Sequence, residues 1–79
     1  MNFLPDLGQN LRLARKKQFP KDNMKSFSLR VGISRATYQK MEKGDLSVSL
    51  KYYFQAARLL GVENDFTHLF MLKESLFDD

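Results

Sequence analysis

Apolar residues recur at helical spacing in five stretches of this chain, and Pro, Gly, Asn, Asp or Ser separates them. Leu7, Leu11 and Ala14 stand at i, i+4 and i+7, the mark of a helix with one inward face. The spacing predicts a first helix over 7–18, capped by Asp6, with Pro5 kept outside because a helix interior rejects it. Pro20 biases Phe19 away from the α region, so this helix ends near Gln18. Asn23 or Asp22 caps a second helix over 24–31, where Phe27 and Val31 repeat at i, i+4 and Leu29 is a further apolar position. After Gly32 and Ile33, Ser34 offers a hydroxyl to a free N–H and starts a third helix over 35–43. Tyr38 and Met41 form its apolar face, and Gly44 ends it. Ser49 caps a fourth helix over 50–60. Its inward stripe reads Leu50, Phe54, Ala57 and Leu60 or Gly61, with Tyr53 beside it and Lys51 and Arg58 left for solvent. Asn64 or Asp65 caps a fifth helix over 66–77, with Phe66, Leu69 and Phe70 at i, i+3, i+4 and Leu72, Leu76 and Phe77 at uneven spacing.

The chain therefore reads as all-α: an N-terminal arm over 1–6, a body over 7–62 and a C-terminal helix within 63–79. The stretch from Phe27 to Gly44 organises it. A helix, a short Gly-containing turn and a Ser-capped helix make the helix-turn-helix pattern. The second of these helices exposes Arg35, Gln39, Lys40 and Lys43, the side chains a helix needs in the major groove. Lys40 is read as lying one turn beyond Arg35 on much the same face. The C-terminal helix carries more apolar area than a small domain covers on one face. Phe66, Phe70, Leu72, Leu76 and Phe77 are the candidates for contact with a second copy or a partner, an arrangement compatible with Phe66 and Phe70 turning inward while Leu72, Leu76 and Phe77 meet it.

Charge sharpens this picture. The formal net charge of +4 is the balance of two unlike parts. Residues 1–62 hold twelve of the thirteen Lys and Arg against four Asp and Glu, a net +8; residues 63–79 hold Lys73 against five acids, a net −4. A basic body attracts a phosphate backbone through counterion release, and an acidic tail belongs away from it. There is no cysteine among the 79 residues, so disulfides and thiolate metal sites are excluded, as suits a reducing cytosol. No apolar run approaches the ~18 residues of a membrane span, and the N-terminus lacks a basic region followed by a long apolar core. The expectation is a cytoplasmic protein without cofactor or metal.

The stretches VGIS at 31–34, RATYQKMEKG at 35–44 and LRLAR at 11–15 resemble the lambda-repressor/Cro (XRE-type) helix-turn-helix family over about residues 7 to 62. GDLSVSL at 44–50, followed by a helix ending ARLLGV at 57–62, is most similar to the HipB-like antitoxin branch. The resemblance implies a five-helix lambda-repressor-like DNA-binding domain. It assigns base edges to Ser34, Arg35, Ala36 and Lys40, and phosphates to Asn23, Lys25, Thr37 and Lys43. Gln39 matches a family position that points away from the groove. Arg35 is the strongest candidate, because a guanidinium can bond bidentately to guanine. The family often places Gln at the first position of helix 2 to brace a phosphate. Here Met24 stands there and cannot donate, which leaves Lys25 or the free N–H groups to substitute. The resemblance also implies a structural ion pair between Arg15 and Glu42. The implied partners are double-stranded DNA with an inverted-repeat operator, a second copy of the chain, and a HipA-type kinase toxin.

Enzymatic readings find little support. His68 is the single histidine and lies in an acidic, aromatic tail. No nucleophile motif, HExxH or phosphate-cradling Gly-rich loop is present. A stand-alone regulator and an interaction module that keeps the fold without DNA binding stand as the alternatives.

Overall fold

The computed structural model describes residues 2–72. Its order is α1 (Pro5–Gln18), α2 (Met24–Val31), α3 (Arg35–Glu42), α4 (Leu50–Leu60) and a 3₁₀ segment, Glu63–His68. Among the described residues the architecture is all-helical, and the only strand-like pairing is a single antiparallel bridge between Phe3 and Asp45.

Helix ends follow local chemistry. Asn23 and Ser26 form a reciprocal capping box at the start of α2. Ser34 accepts from the Thr37 N–H at the start of α3. Gly32 closes α2 with φ +87°, a conformation that costs a residue with a Cβ. Gly44 does the same after α3 at φ +75°. There the Gly44 N–H reaches the Met41 carbonyl at 2.9 Å and the Asp45 N–H reaches that of Lys40 at 3.1 Å, which satisfies the last carbonyls in a Schellman motif. Phe19 follows α1 directly, as the proline at position 20 predicts.

Three expectations need correction. Helix α1 starts at Pro5, and Asp6 lies in its first turn without capping it. Proline suits the first helical position because that N–H lacks an intrahelical partner in any case. In α4 the buried residues are Tyr53, Ala56, Ala57 and Leu60, while Leu50 is 61% and Phe54 38% exposed. The two alanines let α4 approach the core closely, and the Tyr53 hydroxyl satisfies itself on the Asp45 carbonyl at 2.6 Å. Burial pushes that hydroxyl's pKa up to about 12.

The third correction concerns the predicted helix over 66–77. Over its described part, up to residue 72, the chain forms the 3₁₀ segment instead, with Asn64 and Asp65 inside it and no side-chain cap. Phe66 packs edge-on against Phe54, with ring centroids 5.4 Å apart. Phe70 then adopts φ +64° and projects fully into solvent rather than inward. A short helix depends on packing for its stability, and the uneven apolar spacing beyond Phe66 offers no single face to pack. Leu76 and Phe77 lie outside the described residues.

The core collects Leu11, Phe27, Val31, Tyr38, Met41, Tyr53, Ala56 and Leu60 from all four α-helices. Phe27 sits at its centre, 5.2 Å from the Tyr38 ring and 5.4 Å from that of Phe19. Gly8 is where α1 meets the end of α3. A Cβ there would lie 2.5 Å from the Gly44 nitrogen and closer still to the Glu42 carbonyl oxygen. Helix propensity alone favours Ala over Gly by about 1 kcal/mol. We expect Gly8→Ala instead to lower the unfolding free energy by about 2 kcal/mol or more, since backbone must move to admit the methyl. Urea denaturation checks this, and an unchanged or raised midpoint would show that the close approach is not required.

Candidate nucleic-acid interface

The interface begins at the amino end of α2. The Asn23 side-chain oxygen accepts from the Ser26 N–H at 2.9 Å, and the Ser26 hydroxyl accepts from the Asn23 N–H at 2.9 Å. The Asn23 oxygen is thus committed to the cap, and its amide hydrogens bond to nothing among the described residues. Lys25 is exposed on the first turn. Met24 is partly buried against the core.

Gly32, Ile33 and Ser34 then turn the chain. Ile33 packs on the core and anchors the turn from below. The Ser34 hydroxyl accepts from the Thr37 N–H at 3.1 Å and lies 2.9 Å from the Thr37 hydroxyl. If Ser34 donates in that contact, the Thr37 hydrogen remains available for an outside acceptor.

Along α3, Arg35, Ala36, Gln39 and Lys40 are exposed, as is Lys43 just beyond it, while Tyr38 and Met41 are fully buried. The five-residue step from Arg35 to Lys40 carries Lys40 about 140° round the axis at 3.6 residues per turn. The two therefore do not share one line, contrary to the expectation that Lys40 lies on much the same face one turn on. They flank a face with Ala36, Gln39 and Lys43 between them. Neither forms an ion pair with a described residue.

The buried side chains of α3 tie it to the body. Arg15 Nε donates to Glu42 Oε2 at 2.7 Å, and an Nη donates to Oε1 at 3.3 Å. The other Nη donates to the Asp22 carbonyl at 3.1 Å, and the Tyr38 hydroxyl donates to the same Glu42 carboxylate. Arg15 is 6% exposed. Its bond to Glu42 holds the guanidinium's pKa above its ordinary value, while burial, seconded by Glu42, drives the Tyr38 pKa well up.

A second pair had no signal in the apolar pattern. Arg30 bonds to the Asp22 carboxylate through Nε and Nη2 and stacks 4.9 Å over the Phe19 ring. The Arg30 bond holds the Asp22 carboxyl below the usual carboxylate range. Asp45 is lowered as well, chiefly by hydrogen bonds from the Ser47 side chain and backbone. Arg15 and Arg30 are thereby withdrawn from the outward charge, while Lys25, Arg35, Lys40 and Lys43 remain in it.

Leu46 before α4 and Leu50 and Phe54 on it are exposed, as are Leu69, Phe70, Met71 and Leu72. Of the residues expected at a dimer or partner contact, Phe66 is half-buried, and Phe70 and Leu72 are open to solvent. No group of three or more His, Cys, Asp or Glu capable of holding a metal occurs among the described residues.

A family model described as helix-turn-helix matches residues 21–64. That span runs from the connector after α1 to the start of the 3₁₀ segment and contains α2, the turn and α3. No curated protein and no solved structure matches the chain.

Removing one member of a desolvated ion pair costs about 3–5 kcal/mol, and replacing both with apolar residues costs far less. We therefore expect Arg15→Met and Glu42→Met each to destabilise by that order, with the double variant recovering much of the loss. Thermal denaturation of the four proteins checks this. Additive single losses would show that the two side chains act separately.

Proposed function

From the premise that this chain belongs to the helix-turn-helix family and is a DNA-binding transcriptional regulator, we propose that it is a sequence-specific repressor whose helix α3 enters the major groove. The observation that carries this reading is the two-sidedness of α3. Its inner face is locked to the body through Tyr38, Met41 and Glu42, and its outer face holds uncommitted Arg35 and Lys40 around a small Ala36. Arg35 and Lys40 read base edges, and Ala36 packs on a thymine methyl. Ser34 contributes mainly as the cap that starts the helix. Lys25, Thr37, Lys43 and the Asn23 amide hold phosphates on either side.

The regulator acts as a homodimer on an inverted repeat, with two copies of α3 about 34 Å apart. Support for self-association comes from the apolar residues that a domain of 79 residues leaves open on α4 and over 69–72. The likeness of residues 44–62 to HipB-like antitoxins favours a more particular role, in which the chain neutralises a HipA-type kinase and represses their shared operon. The tail from 63 onward is the partner surface in that role. Co-purification of such a kinase, lost on truncation of residues 63–79, tests it. A chain that represses with no kinase bound is a stand-alone regulator.

For the DNA reading itself, fluorescence anisotropy on the chain's own upstream duplex is the direct experiment. We expect Arg35→Ala and Lys40→Ala each to weaken binding by about tenfold or more, in keeping with ~1–3 kcal/mol per base contact. Affinity should also fall steeply with salt. Wild-type affinity in both variants would sink the groove assignment.

A further inference from the structure

We propose that the backbone of residues 2–4 is a positioning element for α3, one that sets how accurately the helix meets base edges. This rests on the DNA reading above and adds to it a part of the chain outside the matched span.

The arm does not trail into solvent. The Leu4 N–H donates to the Gly44 carbonyl at 2.8 Å, and the Leu46 N–H donates to the Asn2 carbonyl at 2.7 Å, which brackets the Phe3–Asp45 bridge. Gly44 permits this approach, because a Cβ there would lie 2.5 Å from the Leu4 carbonyl carbon. The same turn receives the Tyr53 hydroxyl on the Asp45 carbonyl and the backbone of α1 at Gly8. The carboxyl end of α3 is therefore held from the arm, from α1 and from α4 together.

The arm is poorly made for touching DNA. No Lys or Arg precedes Arg12, and Phe3 and Leu4 are about half exposed with apolar side chains. Its contacts with the turn run through main-chain atoms, so side-chain identity at 3 and 4 matters little to them.

The geometry gives this clamp leverage. Helix α3 has eight residues, or about 12 Å at 1.5 Å per residue. Its amino end is fixed by the Ser34 cap and the turn to α2. Loosening this end enough for a tilt of about 10° about the amino end would move the Lys40 backbone by about 1 Å, whereas a recognition group must stay within ~0.5 Å of its productive position. Flexible lysines on phosphates tolerate such a shift, and directed hydrogen bonds to base edges do not. Loss of the arm should thus reduce discrimination more than general affinity.

The test starts from a duplex that the wild-type chain selects from a random pool, with a scrambled duplex as reference, both measured by anisotropy at one salt concentration. Deletion of residues 1–4 is expected to lose about tenfold on the selected duplex and less than about twofold on the scrambled one, the discrimination of one good base contact. Phe3→Ala and Leu4→Ala keep the backbone bonds and should bind like wild type. Circular dichroism checks that the truncated chain is folded; if it is not, deletion of residues 1 and 2, which removes the Asn2 acceptor and leaves Leu4 at the start of α1, is read by the same criteria. Equal loss on both duplexes, or no loss on either, overturns the positioning role while leaving DNA recognition intact. Failure of the wild type to enrich any duplex overturns the underlying reading.

Discussion

One guanidinium stands where three parts of the fold meet. Arg15 leaves α1, forks onto Glu42 at the end of α3 and reaches the Asp22 carbonyl just before α2. Tyr38 adds a hydroxyl to the same carboxylate from one turn back. An eight-residue helix is well below the ~12–15 residues at which isolated helices become marginal, so α3 owes its form and direction to such ties. Burying charge is costly unless every donor and acceptor is matched. Here, no buried side-chain nitrogen or oxygen among the described residues lacks a partner. The pair therefore specifies an arrangement of helices more than it adds net stability.

That arrangement sorts the cations. Arg15 goes inward to Glu42, and Arg30 is spent on Asp22 and the Phe19 ring. What remains outward near α2 and α3 is a set of side chains without described anionic partners, on a body whose first 62 residues carry a net +8. Long-range attraction to a polyanion comes from that field, and orientation comes from helix caps and buried ties. Asp45, at the edge of the face, is occupied by Ser47.

Much of this is legible in the residues, because caps and stops act locally. Asn23, Ser34, Gly32, Gly44 and Pro20 announce the ends of α1, α2 and α3 through chemistry confined to a few neighbours. The face of α4 is harder to read. Leu50 and Phe54 outweigh Ala56 in any apolar count, yet closeness of approach favours the alanines, and Tyr53 is buried because a carbonyl from another element awaits its hydroxyl. The 3₁₀ segment is hidden for a related reason: apolar content predicts a helix only where a surface exists to receive it. Within the site, the exposure of Arg35, Ala36, Lys40 and Lys43 follows from periodicity. The Arg30–Asp22 pair and the close approach at Gly8 depend on distances between elements, for which a single chain of letters holds no signal.

The central claim is that the outer face of α3 is the surface that meets DNA. Backbone amide shifts recorded during titration with a selected duplex test it most directly. The account predicts the largest changes at Arg35, Ala36, Lys40 and Lys43, with a second group at Asn23 and Lys25. Changes concentrated at Leu46–Phe54 and over 63–72, with α3 unmoved, would contradict it.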